Sequence, residues 1–99
     1  MAAPRRERAA DPLPRAVALL AAGEWRKAHA LVQGEESKLG AWLHGIVHTL
    51  EGDLGNARYW YRRAGRAFPG PEAVRTEIAA ARRAVRTGGP ARSGRRPPS

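Results

Sequence analysis

Hydrophobic residues recur along this chain at three- and four-residue spacings, in stripes cut off by glycine and proline, and that pattern predicts an all-α protein. Asp11-Pro12 marks a first helix start, with aspartate as cap and proline at the first helical position. Leu13, Val17, Leu20 and Ala21 make its apolar stripe, and Gly23 ends it. A second short helix runs from Glu24 to about Gln33, lined by Trp25, Ala28, Leu31 and Val32 and stopped by Gly34. Ser37 is a good cap for a third helix. There Leu39, Trp42, Leu43, Ile46, Val47 and Leu50 follow the helical period more closely than anywhere else in the chain.

Gly52 closes the third helix and Asp53 caps a fourth, with Leu54, Ala57, Tyr61, Ala64 and Phe68 as its core stripe. Pro69-Gly70-Pro71 then breaks the chain, and Pro71 suits the first position of a fifth helix. Val74, Ile78, Ala81 and Val85 form a narrow stripe on that helix, and Gly88-Gly89-Pro90 ends it. Residues 1–11 are polar, Arg-rich and aperiodic, and residues 88–99 have no large apolar side chain, so both ends are expected to be flexible and disordered. The helical domain is expected over residues 12–87.

A short motif occurs twice. Gly23-Glu24-Trp25-Arg26-Lys27-Ala28 is echoed by Gly52-Asp53-Leu54-Gly55-Asn56-Ala57. In each copy glycine ends one helix, the acid caps the next, and the bulky residue staples the turn. The alanine lets two helices approach. Two such hairpins set side by side would bury one continuous core.

The second hairpin resembles a tetratricopeptide repeat. Gly45 on its first helix stands where that family places a small residue facing an alanine of the second helix, here Ala57. Tyr61, Ala64 and the closing Pro69 fall at matching offsets, and Trp42 lies one position from the usual aromatic. His44 and His48 depart from the family, which prefers leucine and an aromatic there. The echo lies 29 residues away, against a family period of about 34. The segment from Trp42 to Gly65 is also similar to a group of small bacterial proteins of unknown function. The resemblance implies stacked helical hairpins, about five helices in all, and a scaffold that binds another protein or peptide, usually in a concave groove.

Composition narrows the function classes. A chain of 99 residues makes at most one small domain, and the absence of cysteine excludes disulfides and thiolate metal sites. The longest apolar run, Ala16 to Ala22, is far too short to span a membrane, and Pro12, Pro14 and Arg15 interrupt any leader-like segment, so a cytoplasmic protein is expected. The formal net charge is +9. Arg82, Arg83, Arg86, Arg92, Arg95 and Arg96 concentrate positive charge near the end, which suits nucleic acid or any acidic surface. Arginine in excess over lysine, with abundant alanine and glycine, is also what GC-rich coding produces.

Two further constellations bear on chemistry. His44, His48 and Glu51 share one helix face, opposite the Leu39–Leu50 stripe, and two imidazoles with a carboxylate can hold zinc or ferrous iron. The general-base glutamate of a zinc-protease motif is missing, since Gly45 follows His44, and no further ligand is in view. The expectation is therefore no bound metal and no cofactor. Tyr59, Trp60, Arg62, Arg63 and Arg66 make an aromatic–basic cluster of the kind that grips a peptide or stacks on bases, with Trp60 expected against the fifth or second helix. No nucleophile–base pair, phosphate-cradling loop or paired carboxylate is evident, so no enzyme is expected. The sequence points first to a small protein-interaction adaptor. A basic nucleic-acid-associated protein comes second, and a metal-dependent enzyme using His44, His48 and Glu51 third.

Overall fold

A computed structural model describes residues 11–87 of the chain. It holds five α-helices: α1 (Pro12–Ala21), α2 (Trp25–Val32), α3 (Lys38–Glu51), α4 (Leu54–Arg63) and α5 (Val74–Arg86). There is no strand among the described residues. The expected all-α class is thus the observed one. The expected basic arm, Asp11 apart, and the expected tail lie outside the described residues.

The helix starts follow local hydrogen bonding. Asp11 accepts from the Leu13 amide at 3.0 Å, Ser37 from the Gly40 amide at 2.9 Å and Asp53 from the Asn56 amide at 3.3 Å. Each satisfies an amide that the first helical turn leaves without a carbonyl partner. Glu24 departs from expectation: it makes no capping bond to α2. Aspartate is short enough to fold back on its own turn and glutamate is not favoured there; the Glu24 carboxylate lies instead 4.0 Å from the Lys27 ammonium.

The two echoed glycines do the same work. Gly23 and Gly52 take left-handed backbone conformations, with φ of 81° and 90°. In each turn the next amide reaches back into the preceding helix, Glu24 to the Leu19 carbonyl at 2.8 Å and Asp53 to the His48 carbonyl at 2.9 Å. The glycine amides donate to Leu20 and Thr49, completing the same closure twice. The fifth helix starts later than its proline suggested. Pro71–Ala73 form a 3-10 turn, and Ala73, at φ −92° and ψ 5°, stands outside α geometry, so α5 begins at Val74.

α3 is the central helix. It pairs with α4 across the Gly52 turn and is flanked by α1, α2 and α5. Gly40 through Val47 are consequently all buried, not only the stripe that the sequence marks. The core joins Leu13, Val17 and Leu20 of α1 to Val32 of α2, Leu43, Ile46 and Val47 of α3, Tyr61 of α4 and Ile78 and Ala81 of α5. α5 lies on α1 and α3, the first helices of the two hairpins.

The α3–α4 approach centres on Gly45. A methyl group there would come within 2.5 Å of Tyr61 Cδ1 and 3.4 Å of the Ala57 carbonyl oxygen. The ring of Tyr61 therefore occupies the space above Gly45, and Ala57 borders it with its backbone. Among the described residues, no helix is long and apolar enough to cross a membrane.

Candidate functional site

All three histidines of the chain come together between α2 and α3. His44 and His48 lie one turn apart on α3, with ring centroids 5.1 Å apart. His29 reaches them from α2, with centroids 4.9 Å from His44 and 5.3 Å from His48. One nitrogen of each ring lies within 4.8 Å of one on each of the others. His44 is 6% exposed, His48 keeps 12% of its side-chain surface and His29 is half-buried.

The two α3 imidazoles have distinct neighbours. The Trp60 ring lies flat on His44, with centroids 3.8 Å apart and planes 5° from parallel. Burial, reinforced by the nearby charges of His29 and His48, lowers the His44 pKa to about 4, so this ring is neutral at pH 7. His48 Nδ1 is 2.7 Å from Glu51 Oε1. An ionised carboxylate only accepts, so Nδ1 carries the proton, and in the neutral imidazole Nε2 is the nitrogen with the lone pair. Asp53 lies just beyond. Side-chain and backbone hydrogen bonds from Asn56 hold its carboxyl below the usual aspartate range.

His29 escaped the sequence reading because it stands on a different helix, fifteen or more positions from its neighbours. The one available signal was compositional: only three histidines occur in the chain, and two of them already shared a helix face.

The second candidate is the outer face of α4. The expected partner-binding set divides there. Tyr59, Trp60 and Arg63 form one patch: Tyr59 stands edge-on to Trp60 at 5.2 Å and 90°. Arg63 Nη1 donates to the Tyr59 hydroxyl at 3.4 Å, a long contact, and its guanidinium carbon sits 5.4 Å from the Trp60 ring centroid. Trp60 packs on His44 of α3, not on the fifth or second helix as expected. Its other edge, with Arg63, borders a cleft of about 360 Å3 whose far wall is Gln33, Glu35 and Glu36. Arg66 turns away and stacks on Trp42, 3.5 Å from the ring centroid. Arg62 lines a shallow hollow with Arg58 and Phe68, which Arg66 also borders.

Tyr59 is the exposed large hydrophobic residue among those described, at 45%. Among the described residues no carboxylate pairs with Arg58, Arg62 or Arg63. The helix thus presents an aromatic ring beside arginines that make no close ion pair, with Glu35 and Glu36 across the cleft from Arg63.

Glu77 of α5 is the other residue that sequence reasoning missed. Its Oε1 accepts from Trp42 Nε1 at 3.0 Å and from the Tyr61 hydroxyl at 2.8 Å. Burial first, and then this bond to Glu77, raises the Tyr61 pKa above the ordinary tyrosine value. The three residues tie α3, α4 and α5 together.

No family model, curated protein or solved structure matches the chain.

Proposed function

We propose that this protein is a small cytoplasmic interaction module whose tetratricopeptide-like hairpins present the outer face of α4 to an acidic segment of another protein. The observation that carries this reading is the Tyr59 patch. An exposed tyrosine braced by Trp60 and Arg63 offers a rigid, amphipathic contact that loses little conformational entropy on binding. Arg63 sits against the tyrosine, and Arg58 and Arg62 add positive charge on the same helix, at the Phe68 hollow, which speeds encounter with an acidic surface and disfavours basic ones. The face formed by α1 and α3 is less suited to a ligand, because α5 already lies across both helices. A peptide bound in a concave groove, as the family resemblance implies, would have to displace it. Nothing in the arrangement calls for a catalytic step.

The experiment compares proteins retained from a cell lysate by the immobilised full chain, by Tyr59→Ala and by a variant lacking residues 88–99. An interaction module of this kind loses its specific partner in Tyr59→Ala, by on the order of 1–2 kcal/mol once affinity is measured, and keeps it without the tail. The reading is lost if no partner depends on Tyr59. It is also lost if short RNA or DNA binds at physiological salt with sequence preference and through Tyr59 or Trp60, because phosphate attraction alone ignores sequence and fades with salt.

A further inference from the structure

We propose that His29, His44 and His48 form a binding site for a divalent transition-metal ion of the zinc class, with Glu51 as the residue that positions His48. Three imidazole nitrogens are the donor set that such borderline ions prefer. The rings come from two helices, so the ion would clip the first hairpin to the second. Three protein ligands leave a fourth position for water or an exchangeable ligand.

Three features suit the cluster to this role. Glu51 lies 2.7 Å from His48 Nδ1 and favours the tautomer whose Nε2 binds an ion, the carboxylate–imidazole–metal relay. His44 is locked against Trp60, whose ring lies flat on it at 3.8 Å, so its orientation is fixed before any ion arrives. His29 stands on a short helix and is half-buried, so its ring has room to move. Ligand nitrogens around tetrahedral zinc lie roughly 3.3 Å apart, closer than the 4.8 Å limit spanned here, so closure on an ion draws all three rings inward, the α3 pair with centroids at 5.1 Å included. Packing three imidazoles together without an ion forgoes better options: each is a polar ring facing another, where alanine or leucine would fill the same space. This site shares Trp60 with the Tyr59 patch, since that ring lies flat on His44 and edge-on to Tyr59, but takes no ligand from the patch.

A competing donor set shares His48. Its neighbours Glu51 and Asp53 form a second group with it, but both carboxylates are exposed. That alternative makes no use of His29 or His44, which separates the two experimentally.

The test uses the full chain made without a histidine tag and stripped with a chelator. Zinc is titrated against a chromophoric competitor. Cobalt is then added as a spectroscopic substitute, with its visible absorption reporting tetrahedral coordination. The expected result is one equivalent of zinc, a raised melting temperature, and quenching by cobalt of fluorescence that Trp60→Phe abolishes. Glu51→Gln weakens zinc binding by roughly 10- to 100-fold, and His29→Ala weakens it further while the metal-free melting curve stays near wild type. Should His29→Ala fail to fold, His29→Gln replaces it. Asp53→Asn, which can still cap α4, leaves affinity unchanged. Absence of a stoichiometric equivalent, or zinc affinity indifferent to substitution of His29, overturns the proposal. So does loss of binding in Asp53→Asn with His29→Ala unaffected, since that would place the ion on the exposed carboxylates.

Discussion

Replacing Gly45 by alanine adds one methyl group at the tightest point between α3 and α4. Its carbon would sit 2.5 Å from Tyr61 Cδ1 and 2.8 Å from Cε1, where carbon atoms prefer about 3.5–4.0 Å. The gap must therefore open by about 1 Å. Tyr61 has nowhere to go: it is 1% exposed, its hydroxyl is held by Glu77 at 2.8 Å, and Phe68 stands against its ring at 5.2 Å. Overpacking of this kind costs about 1–3 kcal/mol, and this site belongs at or beyond the upper end. Against it stands the gain of about 1 kcal/mol from replacing glycine by alanine inside a helix. The net expectation is a loss of about 2 kcal/mol. For a domain of this size that lowers the melting temperature by roughly 8–16 °C. Gly55→Ala is the internal control. It is the same substitution on α4, where an added methyl meets nothing within 4 Å and the backbone is not left-handed. It should stabilise by up to about 0.5–1 kcal/mol. Urea titrations followed by far-ultraviolet circular dichroism measure both. The packing described between α3 and α4 is refuted if Gly45→Ala is as stable as wild type, or if the two variants shift in the same direction.

Glu77→Ala removes the shared acceptor of the Trp42 indole and the Tyr61 hydroxyl. It should destabilise by about 1–3 kcal/mol, while Glu77→Gln, which keeps a carbonyl oxygen, should lose clearly less; equal losses in chemical denaturation would show that the bonds contribute nothing. Tyr61 also predicts an alkaline limb. Its folded pKa is raised above the ordinary 10.0, so the stability linked to it is fully present below pH 10 and falls as the unfolded chain begins to release that proton. In Tyr61→Phe this loss disappears, so the stability difference between the two proteins should narrow as pH rises through that range, and a constant difference would contradict the buried, hydrogen-bonded phenol.

The helices themselves were legible because their signals are local. Asp11, Ser37 and Asp53 announce starts through a side chain that bonds two or three residues on. Gly23 and Gly52 announce stops because only glycine enters the left-handed turn without strain. The same logic misjudged Glu24, whose extra methylene spoils the cap, and Pro71, which opens a 3-10 turn before the α-helix can begin.

What the sequence by itself determined is therefore the number of helices, their approximate ends and the face on which each carries its apolar residues, since all of these depend on neighbours within about one turn. The pairing of faces was decided by tertiary structure. α3 looks one-sided in sequence, yet it is buried all round because four helices surround it. Trp60 meets His44 rather than a flanking helix, and Glu77 closes on Trp42 across 35 positions. His29 joins His44 and His48 only because α2 packs on α3. Periodicity records which side of a helix avoids water; which other helix supplies the cover depends on the fit of side-chain volumes between segments far apart in the chain.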